Sequence, residues 1–104
     1  MSCRVRFTWH AERDLQGLYD FIIDRDSSSV GAVADRALAA IEDSLQILRI
    51  SPFTCRRTTG GSPFLRELII PFGNTGYLAL FEIESPEIVT VLAVRHQRED
   101  DYYR

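Results

Sequence analysis

The chain is 104 residues long, with 12 Lys plus Arg against 15 Asp plus Glu, a formal charge of −3, 45% hydrophobic residues and 11% aromatics. A chain of this length buries roughly 65% of the surface that its unfolded form exposes, enough for one core and too little for a second, which excludes a two-domain organisation. No apolar run reaches the roughly 18 residues of a membrane span, and Met1-Ser2-Cys3-Arg4 lacks the features of a secretory signal, so a protein of the cytoplasm with no membrane partner is expected.

Cys3 to Thr8 alternates, with Val5 and Phe7 on one side and Arg4, Arg6 and Thr8 on the other, the period of a strand with one wet face. Thr8 is a helix cap, and Glu12 and Asp14 fall in or near the first turn, where negative charge suits the amide end. Ala11, Leu15, Leu18 and Ile22 recur at helical spacing, and Trp9, Tyr19, Phe21 and Ile23 widen the stripe, predicting a helix over about 9–25. His10 reads as a solvated residue of the first turn. Trp9, Tyr19 and Phe21 read as core aromatics, with partner contact as the other reading.

Asp26-Ser27-Ser28-Ser29 offers capping side chains and no apolar content, which suits a tight connection between helices. Val30, Val33, Ala34, Ala37, Leu38, Ile41, Leu45 and Leu48 then predict one long second helix, antiparallel to the first and ending before Pro52. The shared apolar face of such a hairpin must be covered by the rest of the chain. Residues 53–63, with Arg56-Arg57-Thr58-Thr59-Gly60-Gly61, read as a polar loop. Phe64–Ile70, Gly76–Glu84 and Glu87–His96 read as three short strands forming an antiparallel meander. The expected fold is α+β: an N-terminal strand, a two-helix antiparallel hairpin and a three-stranded antiparallel meander, with the helices packed on one face of a four-stranded sheet.

Cys3 and Cys55 stand in no metal-ligand spacing and read as reduced thiols. With two scattered histidines and no phosphate-cradling glycine pattern, neither a metal nor a cofactor is expected. Every basic residue is Arg, so any mechanism that requires a lysine fails. A GC-rich genome replaces Lys by Arg regardless of function, and the bias itself assigns none. Arg66, beside Glu67, reads as a wet-face residue pairing with Glu82 or Glu84 across the sheet, worth ~0.2–1 kcal/mol. His96 reads as a structural hydrogen-bonding histidine.

The helix leading to Ser51-Pro52-Phe53, the run Phe64-Leu65-Arg66-Glu67-Leu68, and Tyr77 to Ile83 followed by Val91-Leu92-Ala93-Val94-Arg95-His96-Gln97-Arg98 together resemble the RelE/ParE toxin superfamily. The match is closest to the ParE-like branch, often labelled plasmid stabilisation proteins. The resemblance implies the toxin of a type II toxin-antitoxin module, silenced by a small ParD-like antitoxin within a hetero-oligomer. ParE-like members poison DNA gyrase, whereas RelE-like members cleave messenger RNA in the ribosome, and a shared fold cannot choose between them.

On the ribonuclease alternative, Arg66 and Arg95 would clamp a phosphate, His96 would act as base or acid, and Tyr102 or Tyr103 would donate a proton or stack. The absence of lysine, the charge of −3 and the acidic run Glu99-Asp100-Asp101 before the tail tyrosines oppose it. The favoured reading is a gyrase inhibitor that acts by binding and has no catalytic residues. Its target surface is expected at Arg56, Arg57, Arg66, Arg95, His96, Arg98, Tyr102 and Tyr103, and its antitoxin contacts at Trp9, Tyr19 and Phe21. A degenerate toxin that serves only as an antitoxin scaffold is a third reading.

Overall fold

The computed structural model describes residues 3–25, 32–58, 60–73 and 75–96. The elements run β1 (Arg4–Phe7), α1 (Trp9–Arg25), α2 (Ala32–Leu45), α3 (Ile47–Ile50), a 3-10 turn (Pro52–Thr54), β2 (Arg56–Arg57), β3 (Leu65–Phe72), β4 (Thr75–Ser85) and β5 (Ile88–His96). They form one sheet in the order β1-β5-β4-β3-β2. The meander expected over residues 64–96 is present, as is the pair of helices against one sheet face.

The sheet differs from the expected one in two respects. It has five strands, because Arg56 and Arg57, expected in a loop, pair with Glu67 and Arg66. An ion pair from Arg56 Nε to Glu67 Oε1 at 2.9 Å ties that strand down. The sheet is also mixed, since β1 lies parallel to β5, Arg4 opposite Ile88 and Phe7 opposite Val91. Strands joined by a tight turn must run antiparallel, but the helical layer separates β1 from the meander and frees its direction.

The long second helix is split. α2 ends at Leu45, and around Gln46 the bonding tightens to a three-residue step, Gln46 N–H to the Asp43 carbonyl at 3.2 Å and Arg49 N–H to the Gln46 carbonyl at 3.1 Å. The break leaves both Leu45 and Leu48 in the core.

Period-two alternation supplies the sheet side of that core: Leu68 and Ile70 on β3, then Tyr77, Ala79, Phe81 and Ile83 on β4. On β5 the period slips at a bulge. Phe81 faces Val91 while Leu80 faces Ala93, so Leu92 is the extra residue and Val91 and Val94, three apart, both reach the core. Ala11, Ala37, Ile41, Leu45 and Leu48 close it from the helices. Burying each large side chain, such as Phe81 or Leu48, contributes about 1.5–3 kcal/mol.

Two of the aromatics expected in the core lie outside it. Trp9 is 71% exposed and Phe21 56% exposed. Trp9 precedes Ala11 by two positions and Phe21 precedes Ile22 by one, so at 3.6 residues per turn neither shares the inward stripe. Tyr19 is half-buried, and its hydroxyl donates to Asp35 Oδ1 at 3.1 Å, linking α1 to α2. Among the described residues, no helix is long and apolar enough to cross a membrane.

Candidate functional site

The parallel strand β1 is short, and its end shapes the region where α1 meets β5. Thr8 turns the chain from strand into helix: its N–H donates to the Val91 carbonyl at 3.0 Å, and its Oγ1 accepts from the Ala11 N–H at 3.0 Å while donating to the Leu92 carbonyl at 3.2 Å. One hydroxyl thus caps α1 and satisfies a strand carbonyl. Among the described residues, no strand neighbours β5 on this side beyond Val91. The Val94 N–H donates instead to Asp14 Oδ2 at 3.0 Å, and His10 Nε2 stands 3.6 Å from the same oxygen. A carboxylate from α1 therefore replaces a strand carbonyl at an open edge, a protection against uncontrolled pairing.

Beside this junction lies a cleft of about 550 Å³ lined by His10, Arg13, Asp14, Gly17, Leu18, Val94 and Arg95. A Cβ built on Gly17 would meet nothing within 4 Å, so the helix wall is open there. The Arg13 guanidinium lies 4.9 Å from the centre of the Trp9 ring. A second groove, about 450 Å³, runs between α1 and α2 along Glu12, Leu15, Gln16, Tyr19, Asp35 and Leu38.

The guanidinium and imidazole groups singled out from the sequence do not converge. Arg66 lies opposite Phe81 and shares its helix-side face, whereas Arg95 lies opposite Leu78 on the other face. Two strands and three residue steps put their Cα atoms ~14 Å apart. His96 lies opposite Tyr77 on the helix side, the two rings edge to face with centroids 5.6 Å apart. Arg95 and His96, adjacent in the chain, thus belong to opposite faces. Arg98, Tyr102 and Tyr103 lie outside the described residues.

Arg66 departs furthest from its expected role. Its Nε donates to the Pro63 carbonyl at 2.7 Å, and its Nη1 to the carbonyls of Phe53 at 3.0 Å and Cys55 at 2.9 Å. The guanidinium also covers the Phe53 ring at 5.3 Å. It pairs with neither Glu82 nor Glu84. Glu84 Oε2 instead takes Arg6 Nη2 at 3.2 Å and the Thr90 hydroxyl. Arg66 is a clamp that holds the segment carrying Arg56 and Arg57 against β3, and both of those residues are exposed.

The described residues contain no group of three or more His, Cys, Asp or Glu able to hold a metal ion. Cys3 and Cys55 are free and half-buried. Burial pushes the Cys55 thiol above its ordinary pKa, with the charge of Arg66 opposing the shift. Tyr77 is raised by burial, and Tyr19 by its hydrogen bond to Asp35 and then by that carboxylate's charge. Sequence reasoning did not find Arg13 or Gly17 as surface determinants, and it gave Asp14 only a place near the helix start. The spacing His10, Asp14 and Gly17 on one helix face was the available signal, but it acquires meaning only once β5 is known to lie beside it.

A family model described as the ParE toxin of type II toxin-antitoxin systems, parDE, matches residues 5–101. No curated protein matches. Among solved structures, the chain is similar to one from the chromosomal ParDE toxin-antitoxin system of P. aeruginosa, at 17% identity and a TM-score of 0.69, covering 90% of this chain and 95% of that one. At that identity the structural likeness speaks for the fold alone, and the family model speaks for kinship. The sheet, the helical pair and the matched span agree: the chain belongs to the family of ParE toxins of type II toxin-antitoxin systems.

Proposed function

We propose that this ParE toxin inhibits DNA gyrase by docking onto it in the cytoplasm, without chemistry of its own, and is neutralised by a ParD-like antitoxin. The observation that carries the choice over messenger RNA cleavage is Arg66. Its guanidinium is committed to three backbone carbonyls on the face opposite Arg95, so a two-arginine phosphate clamp with His96 as its base lacks a member. On this reading the target contact centres on the exposed Arg56 and Arg95, which share the sheet face away from the helices, with Arg57 and His96 contributing from the helix side, Arg98, Tyr102 and Tyr103 extending it, and Arg66 holding the Arg56 segment in place.

The antitoxin lies along the groove between α1 and α2, where Leu15, Leu38 and Tyr19 offer apolar contact, and reaches the exposed Trp9 and Phe21. A disordered segment that folds on binding fits such a groove, and a nanomolar complex, about −12 kcal/mol after ordering costs, needs a long wrapped interface. The two together form a hetero-oligomer.

The test incubates the purified toxin with gyrase and supercoiled plasmid and, in parallel, with translating ribosomes. Accumulated gyrase cleavage complexes are expected, together with their suppression by the antitoxin. Cut message with untouched plasmid overturns the reading.

A further inference from the structure

We infer that Phe53 and Phe64, held together at the margin of the sheet by Arg66, form the anchor with which this toxin docks into an apolar pocket, rimmed by carboxylates, on its protein target. The two rings meet edge to face with centroids 6.2 Å apart, yet they stay 55% and 48% exposed. Single apolar side chains scattered over a surface need no explanation, but this pair is fixed in place. One guanidinium bonds the carbonyls of Phe53 and of Pro63, the residue before Phe64, and lies over the Phe53 ring at 5.3 Å. The segments that carry the rings are thereby tied to each other and to β3 before any partner arrives, so docking has little left to order. Ile50, 74% exposed, adds apolar surface at the end of α3.

Charge chooses what fits the pair. The exposed Arg57 lies opposite Arg66, and Cβ atoms so placed stand about 5 Å apart, which sets a second guanidinium beside the first. Among the described residues neither has a carboxylate partner: Arg66 bonds only carbonyls, and Glu67, on the other face, is taken by Arg56. Glu82, opposite Leu65, also belongs to that other face. On the helical layer, Asp43 precedes Ile50 by seven residues, roughly 10 Å at a rise of about 1.5 Å per residue.

A second copy of the chain suits this surface poorly. Each ring leaves about 100 Å² accessible, against roughly 800 Å² per partner in a stable interface, and a twofold contact would set Arg57 and Arg66 against their own copies. A pocket with an apolar floor and an acidic rim accommodates both rings and both charges, and aromatic groups with arginine supply most hot spots of protein contacts. The same guanidinium also holds the Cys55 carbonyl, next to Arg56, so the anchor continues the proposed target contact and shares no residue with the groove between α1 and α2. The inference rests on the reading of this toxin as an inhibitor that acts by binding a protein.

The full-length toxin is induced in cells without its antitoxin, and the purified protein is titrated onto gyrase holoenzyme. The parent should arrest growth and bind gyrase. F53A/F64A should arrest no growth and bind at least about tenfold more weakly, while still unfolding cooperatively in urea, because both rings are half-exposed. R57E should also weaken binding, since a charge of the wrong sign then faces the acidic rim. F64A alone, which leaves the bonds between Arg66 and the Phe53 segment in place, keeps the test available if the double variant misfolds.

Three results overturn the proposal: growth arrest by folded F53A/F64A; gyrase binding by R57E as tight as the parent's or tighter; or a parent dimer in sedimentation velocity that F53A/F64A converts to monomer, which would make a second copy the occupant. A parent that arrests growth without binding gyrase removes the gyrase reading alone, and the growth phenotype of F53A/F64A then decides the anchor. A parent that arrests no growth overturns both.

Discussion

Arg66→Ala separates a structural clamp from a target contact. The substitution removes three charge-assisted donors, of which the bond to the Cys55 carbonyl is part-buried and those to Pro63 and Phe53 are exposed. Exposed carbonyls regain water, so the loss falls mainly on the Cys55 bond, about 1.5–3 kcal/mol, with about 0.5–1 kcal/mol more from the guanidinium over Phe53. The expected destabilisation is about 3 kcal/mol, or ~12–24 °C in Tm for a domain of this size. Lysine keeps the charge but presents a single point in place of a fork, and Arg66→Lys should recover roughly a third of the loss. Urea unfolding of the parent and both variants measures this, and an unchanged m-value shows that stability alone has moved. A midpoint shift worth less than ~0.5 kcal/mol in Arg66→Ala, accompanied by loss of toxicity, would refute the argument and return Arg66 to the target surface.

Asp14→Ala strands the buried Val94 N–H and should cost about 1–3 kcal/mol in urea unfolding, while Asp14→Asn, whose amide oxygen can still accept, should cost less; equal losses would refute the edge-capping role. Leu48→Ala empties a fully buried site under the short helix α3 and should cost about 2–5 kcal/mol, whereas the same change at the exposed Ile47 should stay near ~0.5 kcal/mol. Burial raises the Cys55 pKa in the folded state, so the native protein holds that proton more tightly than the unfolded chain. Its stabilisation is complete below the ordinary thiol range and is lost as pH rises through the folded value. Stability measured between about pH 7.5 and 10 should therefore fall more steeply for the parent than for Cys55→Ala, and parallel slopes would contradict the assignment.

The elements that sequence made legible are those in which period and burial coincide. Val5 and Phe7 against Arg4 and Arg6 marked β1, and the stripe Ala11, Leu15, Leu18 and Ile22 marked the inner face of α1. What period cannot carry is pairing. That β1 lies beside β5 and parallel to it depends on where the helical layer deposits it, and the bulge at Leu92, which returns Val94 to the core, reverses the alternation locally. β2 has two residues and no alternation to read.

The candidate site was less legible for a related reason. In the sequence Arg66 reads as a partner for Glu82 or Glu84 or as a target contact, and only the folded chain brings the carbonyls of Phe53 and Cys55 within its reach. Arg95 and His96, neighbours in sequence, were read together although a strand sends them to opposite faces. Trp9 and Phe21 showed that an aromatic beside a stripe is not thereby part of it.

The parallel seam between the first and last strands has a consequence for synthesis. Thr8 meets Leu92 across 84 positions of chain, and Asp14 meets Val94 across 80. A nascent polypeptide can assemble its helical pair early, yet β1 finds its neighbour only when the final strand has been translated. Bonds between such remote positions form late because closing the loop between them costs entropy before any contact repays it. The growing chain thus cannot close this seam before β5 has been made, however early its helices form.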